Sequence, residues 1–119
     1  MTEETKKYVE QTATNAGLLT VNISATTNGE HASNSNHYNG TAVDINMVNG
    51  GRVRTSGTDP EVARHVGWLQ GTANDRGNGV AHENFGPAGL FRDGREFQNV
   101  KLQTEHENHV HITIPRDDQ

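Results

Sequence analysis

Apolar residues recur at two spacings along this chain, and each spacing predicts one type of regular element. Residues 2–16 predict a helix that begins after Thr2 and ends at Gly17, since threonine is a good N-cap and glycine a frequent terminator. A second helix begins at Asp59 and Pro60, because a capping carboxylate followed by proline suits a first turn. The residues predicted to face the core are Tyr8, Val9, Ala13 and Ala16 in the first helix and Val62, Val66 and Leu69 in the second.

Three segments alternate apolar and polar residues, which is the pattern of a half-buried strand. They are residues 19–24, 41–47 and 109–114. Residues 25–40 are polar and predict a loop, and the glycine-rich residues 71–94 predict mostly irregular structure. The apolar faces are predicted to consist of Leu19, Val21 and Ile23 in the first strand, Val43, Ile45 and Met47 in the second, and Val110, Ile112 and Ile114 in the third.

The opposite faces of the second and third strands carry the chemically active residues. Asp44 lies on that face of the second strand, and His109 and His111 on that face of the third. We therefore predict one α+β domain over residues 1–119 with a small, largely antiparallel sheet. Its helices should cover one face, and the candidate chemistry should lie on the other.

Composition narrows the chemistry further. Of 119 residues only 30% are hydrophobic and 5% aromatic, so the core must be thin. The chain has no cysteine, so it has no disulfide, and any metal must bind histidine and carboxylate ligands. The formal net charge is −5 with scattered basic residues, which disfavours binding to nucleic acid or to an anionic membrane surface.

No segment is long or apolar enough to span a membrane, and the N-terminus has no apolar signal region. We therefore expect synthesis in the cytoplasm, with release by lysis or transport in a particle. The sequence indicates nothing about oligomeric state.

Two short motifs bring together the residue types of a hydrolytic zinc site. The first, S-N-H-Y-N-G-T-A-V-D, ends at Asp44 and contains His37, and Gly40 allows a sharp turn between these two. The second, E-H-E-N-H-V-H, runs from Glu105 to His111 and includes His109. Catalytic zinc takes three nitrogen or oxygen ligands and leaves one position for water. We interpret His37, Asp44 and His111 as ligands, with Glu105 and His109 in supporting roles.

The first motif fits the pattern S-x-H-x-x-G-x-A-x-D at every fixed position. In this it resembles the zinc D-alanyl-D-alanine peptidases and L-alanyl-D-glutamate endopeptidases, the group that shares its fold with the Hedgehog signalling domain. The resemblance covers roughly residues 19–114, but only the two motifs are specific. It implies that His37 and Asp44 bind zinc and that the second histidine of H-x-H, His111, is the third ligand.

The resemblance also implies two catalytic roles. His109, next to the metal but not bound to it, would stabilise the oxyanion, and Glu105 would carry the proton, as the Hedgehog-like spacing E-x-x-x-H-x-H indicates. Glu107 is an alternative proton carrier, predicted to lie on the same strand face as His109.

The chain departs from these relatives at one position. They carry an arginine before the first motif, whereas residues 24–34 contain none. Arg52, Arg54 or Arg64 is a candidate replacement.

The function that the resemblance implies is zinc-dependent cleavage of a peptidoglycan stem peptide by a phage endolysin or virion-associated wall hydrolase. An L-Ala-D-Glu endopeptidase is the first expectation and a D-Ala-D-Ala carboxypeptidase the second. The alternative is a non-catalytic zinc-binding structural or interaction module of a phage particle.

Overall fold

The part of the chain that the structure describes contains seven short strands and three helices. The computed structural model describes residues 1–25 and 40–116. In chain order the elements are α1 (Glu3–Asn15), β1 (Val21–Ala25), β2 (Ala42–Val48), β3 (Gly51–Arg52), a 3₁₀ turn (Val53–Thr55), α2 (Pro60–Ala73), β4 (Glu83–Gly86), β5 (Gly89–Arg92), β6 (Arg95–Phe97), α3 (Val100–Glu105) and β7 (Val110–Thr113). No helix within these described ranges is long and apolar enough to cross a membrane.

All strand pairs in the sheet are antiparallel, which confirms the predicted α+β class. The strand order is β1-β2-β7-β4-β5-β6, and β3 pairs with the end of β2. One face of the sheet packs against α1 and α2 in a single apolar core. The core residues include Tyr8, Val9, Val43, Ile45, Val62, Val66, Leu69, Val110 and Ile112.

The first helix ends as predicted, but the strand after it begins later. Gly17 adopts a φ of +80°, and the amides of Gly17 and Leu18 donate to the carbonyls of Thr14 and Ala13. This arrangement is a Schellman motif, which turns the residue after the glycine back onto its helix. Leu18 is therefore buried, whereas Leu19, which was predicted to face the core, is 89% exposed.

The second strand changes its buried face at a bulge. Asn22 pairs with Met47 while Ile23 pairs with Ile45, so Asn46 is an extra residue on β2. An extra residue reverses the alternation of faces. Val48 is consequently buried and Met47 only partly so, and the prediction that Met47 shares the core face was wrong.

Residues 71–94, predicted to be mostly irregular, also contain two strands that the sequence pattern did not indicate. This stretch contains β4 and β5, which form a hairpin with only Pro87 and Ala88 between the strands. Each strand has four residues, and the residue next to the turn is a glycine. The glycines that suggested irregular structure therefore belong to the turn of a tight hairpin. The strand β4 pairs with β7 and becomes an inner strand of the sheet.

A buried polar network attaches β4 to α2. The Gln70 side chain donates to Asn84 Oδ1 at 3.0 Å, and Asn84 Nδ2 donates to the carbonyl oxygen of Gln70 at 2.8 Å and to Asn74 Oδ1 at 3.0 Å. Asn84 is fully buried. Because buried polar groups are costly without partners, this network holds β4, and the residues on its other face, in one position.

We predict that Asn84→Ala lowers the free energy of unfolding by about 1–3 kcal/mol, because it removes two hydrogen bonds to the buried Gln70 and one to the half-buried Asn74. Chemical denaturation measures this change. Asn22→Ala is the matched control, since Asn22 is an exposed strand asparagine bonded to Asn46. Equal effects of the two substitutions would contradict a structural role for the buried network.

Candidate metal centre

The register between β2 and β7 brings Asp44 and His111 together. These two residues are direct cross-strand partners, and Val43 pairs with Ile112 beside them. Since neighbouring residues on a strand point to opposite faces, Val43 and Ile112 enter the core while Asp44 and His111 share the other face. The predicted division between an apolar face and a chemically active face is therefore confirmed for these strands.

His111 lies between two carboxylates. Its Nδ1 is 3.2 Å from Asp44 Oδ1, and its Nε2 is 3.0 Å from Glu83 Oε1. The His111 residue is only 8% exposed, and the Phe85 ring stacks on its imidazole with 5.4 Å between centroids. The imidazole is therefore fixed in position and in the orientation of its ring plane.

The environment of His111 favours positive charge. Burial by itself would lower the pKa of His111, because desolvation disfavours the imidazolium. The hydrogen bonds to Asp44 and Glu83 and the negative charges of both carboxylates outweigh burial, so the pKa of His111 is raised above its ordinary value. The same negative surroundings favour a bound cation.

The Asp44–His111 pair has a separation that suits zinc. Zinc binds nitrogen and oxygen ligands at about 2.0–2.2 Å, so two ligands of a tetrahedral ion are roughly 3.4 Å apart. The 3.2 Å between Asp44 Oδ1 and His111 Nδ1 is close to this value, and it also suits a hydrogen bond. Within residues 1–25 and 40–116, no group of three or more histidine or carboxylate side chains could hold a metal ion. His37, the third predicted ligand, lies outside the described residues.

His109 lies next to this pair. Its Nε2 is 3.9 Å from Asp44 Oδ1, and its Nδ1 donates to Asn108 Oδ1 at 2.7 Å. The His106 ring, at the end of α3, is 4.8 Å from the His109 ring between centroids. His109 thus lies next to the carboxylate of Asp44.

Among the described residues, neither acidic candidate for the proton carrier forms a side-chain hydrogen bond or ion pair with Asp44 or His111. Glu105 is the last residue of α3 and is exposed, and no hydrogen bond or ion pair links its side chain to another described residue. Glu107 lies in a bend before β7, so the prediction that it shares a strand face with His109 was wrong. The reason is that β7 begins only at Val110, because α3 and the turn and bend after it extend to residue 108.

A cleft of about 260 Å³ opens beside Asp44 and His109. Arg52 from β3 and Arg54 from the following 3₁₀ turn line it, and both are exposed. The turn that brings them there is formed by Asn49 and Gly50, with φ values of +47° and +79°. Arg64 instead lies over the Trp68 ring, 5.7 Å from its centroid. Of the three candidate arginines, two therefore border the site.

Glu83 is the residue of this site that sequence reasoning missed. Glu83 lies in the glycine-rich residues 71–94, for which no strand was predicted, so the direction of its side chain could not be inferred. The available signal was the pair of short runs on either side of Pro87 and Ala88, each with a glycine next to this two-residue turn.

No protein-family model matches this chain, and no curated protein or solved structure matches it either.

We predict that the purified chain binds one zinc ion, and that Asp44→Ala or His111→Ala reduces its zinc affinity by more than about 100-fold, since each removes a ligand. Competition with a chromophoric chelator measures the affinity. His82→Ala is the control, because His82 also pairs with a carboxylate, Asp93 at 3.0 Å, and these two residues lie outside the strands, before β4 and after β5. Equal affinity in all three variants would show that zinc binds elsewhere.

Proposed function

We propose that this chain is a zinc-dependent peptidase that hydrolyses a stem-peptide bond of bacterial peptidoglycan. The observation that carries the proposal is the cross-strand pair of Asp44 and His111 on the polar face of the sheet. It lies beside an open cleft and connects the two sequence motifs that resemble those of wall peptidases. The bond between L-Ala and D-Glu is the first choice, and a D-Ala-D-Ala bond is the second.

His37, Asp44 and His111 would hold the ion. Zinc, when bound, acts as a Lewis acid and lowers the pKa of water to about 7. His109 faces the same cleft, and its Nε2, when protonated, would donate a hydrogen bond to negative charge on the carbonyl oxygen. Glu105 would take a proton from the attacking water and pass it to the leaving amine, with Glu107 as the alternative.

The two cleft arginines support an anionic peptide as substrate. Neither Arg52 nor Arg54 has an ion pair to another described residue, and both border the cleft next to Asp44 and His109. A guanidinium binds a carboxylate through paired hydrogen bonds, and stem peptides carry carboxylates. We propose that these two arginines perform the role of the arginine that relatives carry before the first motif.

The setting of this activity would be a phage endolysin or a virion-associated wall hydrolase. The acidic net charge of −5 and the exposed position of Glu105 favour a second candidate, a non-catalytic zinc-binding module of a phage particle. In that case the Asp44–His111 pair would serve stability alone.

The direct test incubates the zinc-loaded protein with intact peptidoglycan, with and without a chelator, and identifies released fragments by mass spectrometry. We expect chelator-sensitive release of fragments with new peptide termini, and those termini identify the bond. Absence of new termini across several wall chemotypes, from protein with stoichiometric zinc, would overturn the peptidase proposal and favour the module.

We further predict that Glu105→Gln abolishes most of the turnover while zinc affinity stays unchanged, since proton transfer typically contributes about 10²–10⁴-fold to rate. Glu107→Gln is the matched control, and it should retain activity. A large loss from Glu107→Gln with none from Glu105→Gln would transfer the proton role to Glu107. Full turnover in both variants would contradict an acidic carrier at either position.

We expect Arg54→Ala to raise KM by about 10- to 100-fold with a smaller effect on kcat, because a charge-assisted hydrogen bond to the substrate is lost. Arg64→Ala is the control, since Arg64 lies on α2 over Trp68. Steady-state kinetics on a soluble muropeptide distinguishes the two variants. An unchanged KM in Arg54→Ala would remove Arg54 from substrate binding.

A further inference from the structure

Glu83 contacts the one nitrogen of His111 that faces away from Asp44. Its Oε1 lies 3.0 Å from His111 Nε2 and accepts a hydrogen bond from the Thr113 hydroxyl at 3.2 Å. The guanidinium of Arg92 lies 3.8 Å from the other carboxylate oxygen. Within the part of the chain that the structure describes, three groups thus hold the Glu83 carboxylate: His111, Thr113 and Arg92.

The register between β4 and β7 creates this arrangement. Glu83 pairs with Thr113, and Phe85 pairs with His111, so both β4 side chains lie on the same face as the imidazole. Phe85 stacks on the His111 ring with 17° between the ring planes. Asn84, between them, enters the core and bonds to α2. The contact of Glu83 with His111 therefore rests on the main sheet and not on a loop.

A neutral imidazole has one N–H, and it faces two carboxylates here. A carboxylate can only accept a hydrogen bond, so neutral His111 can donate to Asp44 or to Glu83 but not to both. When Nε2 carries the hydrogen and donates to Glu83, the lone pair of Nδ1 points toward Asp44 Oδ1. That contact is then favourable only with a cation between the two atoms.

We propose that Glu83 is the positioning residue of the metal centre: it holds His111 in the Nε2–H tautomer and so presents Nδ1 to the ion beside Asp44. This inference rests on the proposed zinc site. A carboxylate on the far nitrogen of a ligating histidine fixes its ring orientation and raises its basicity. Glu83 is not itself a ligand in this account, since it lies on the Nε2 side of the ring, away from Asp44.

The test compares wild-type protein with Glu83→Ala and Glu83→Gln by zinc competition and by two-bond ¹H–¹⁵N NMR of the histidines. In zinc-loaded wild type, we expect His111 to show a protonated Nε2 and a metal-shifted Nδ1. Glu83→Ala should lower zinc affinity by about 10- to 100-fold. Glu83→Gln should lose less, because its amide oxygen still accepts from Nε2–H and preserves the tautomer.

Asp93→Asn is the matched control, since Asp93 pairs with His82 at 3.0 Å and should leave zinc affinity unchanged. Wild-type affinity and an unchanged His111 tautomer in Glu83→Ala would overturn the inference and leave the zinc site intact. Zinc on Nε2 in wild type would also overturn it. A wild-type protein that binds no zinc would overturn the proposed centre itself. If Glu83→Ala does not fold, Glu83→Gln provides the test. A reduced zinc affinity in Glu83→Gln would support the inference, and a zinc affinity equal to that of the wild type would overturn it.

Discussion

The antiparallel pairing of β2 with β7 determines where every other part of the candidate site can lie. It sets Val43 against Ile112 and Asp44 against His111 in successive positions. A shift of one residue would move the apolar side chains to the solvent and the polar ones into the core. The burial of Val43, Ile45, Val110 and Ile112 therefore fixes the register, and the register fixes the distance between Asp44 and His111. Hydrophobic burial on one face thus sets the geometry of the polar site on the other.

The three site residues lie side by side on neighbouring strands of the sheet, in the order that the strand order sets. Asp44 is on β2, His111 on the neighbouring β7, and Glu83 on β4 beyond it. The imidazole is thus held from both sides, with one carboxylate next to an open cleft and the other among Thr113, Arg92 and Phe85. Two carboxylates around one buried imidazole attract positive charge, and the raised pKa of His111 reflects that attraction. A proton bound to His111 would balance these negative charges, and so would the metal ion that we propose.

The features predictable from sequence are those that depend on local periodicity. Alternation identified the faces of β2 and β7, and the capping residues Thr2 and Asp59 identified the starts of two helices. Alternation could not locate the bulge at Asn46, because a bulge depends on how β1 pairs with β2. The sequence signal of Asn49 and Gly50 marks a hairpin, yet only tertiary structure shows that this hairpin brings Arg52 and Arg54 to the cleft.

Glu83 illustrates the same limit at the site. Its importance comes from pairing between β4 and β7, which are separated by more than twenty residues, and no motif contains both. The other site residues were identified because each lies within one of two short motifs. The exposed position of Glu105 at the end of α3, a six-residue helix capped by Asn99, was not predicted from the sequence.

The most direct test of the account is a crystal structure of the zinc-loaded protein with anomalous data collected on both sides of the zinc absorption edge. We expect one anomalous peak that contacts Asp44 Oδ1 and His111 Nδ1, with His37 as a further ligand and Glu83 on His111 Nε2. A peak that contacts neither Asp44 nor His111, or no peak from protein with stoichiometric zinc, would contradict it.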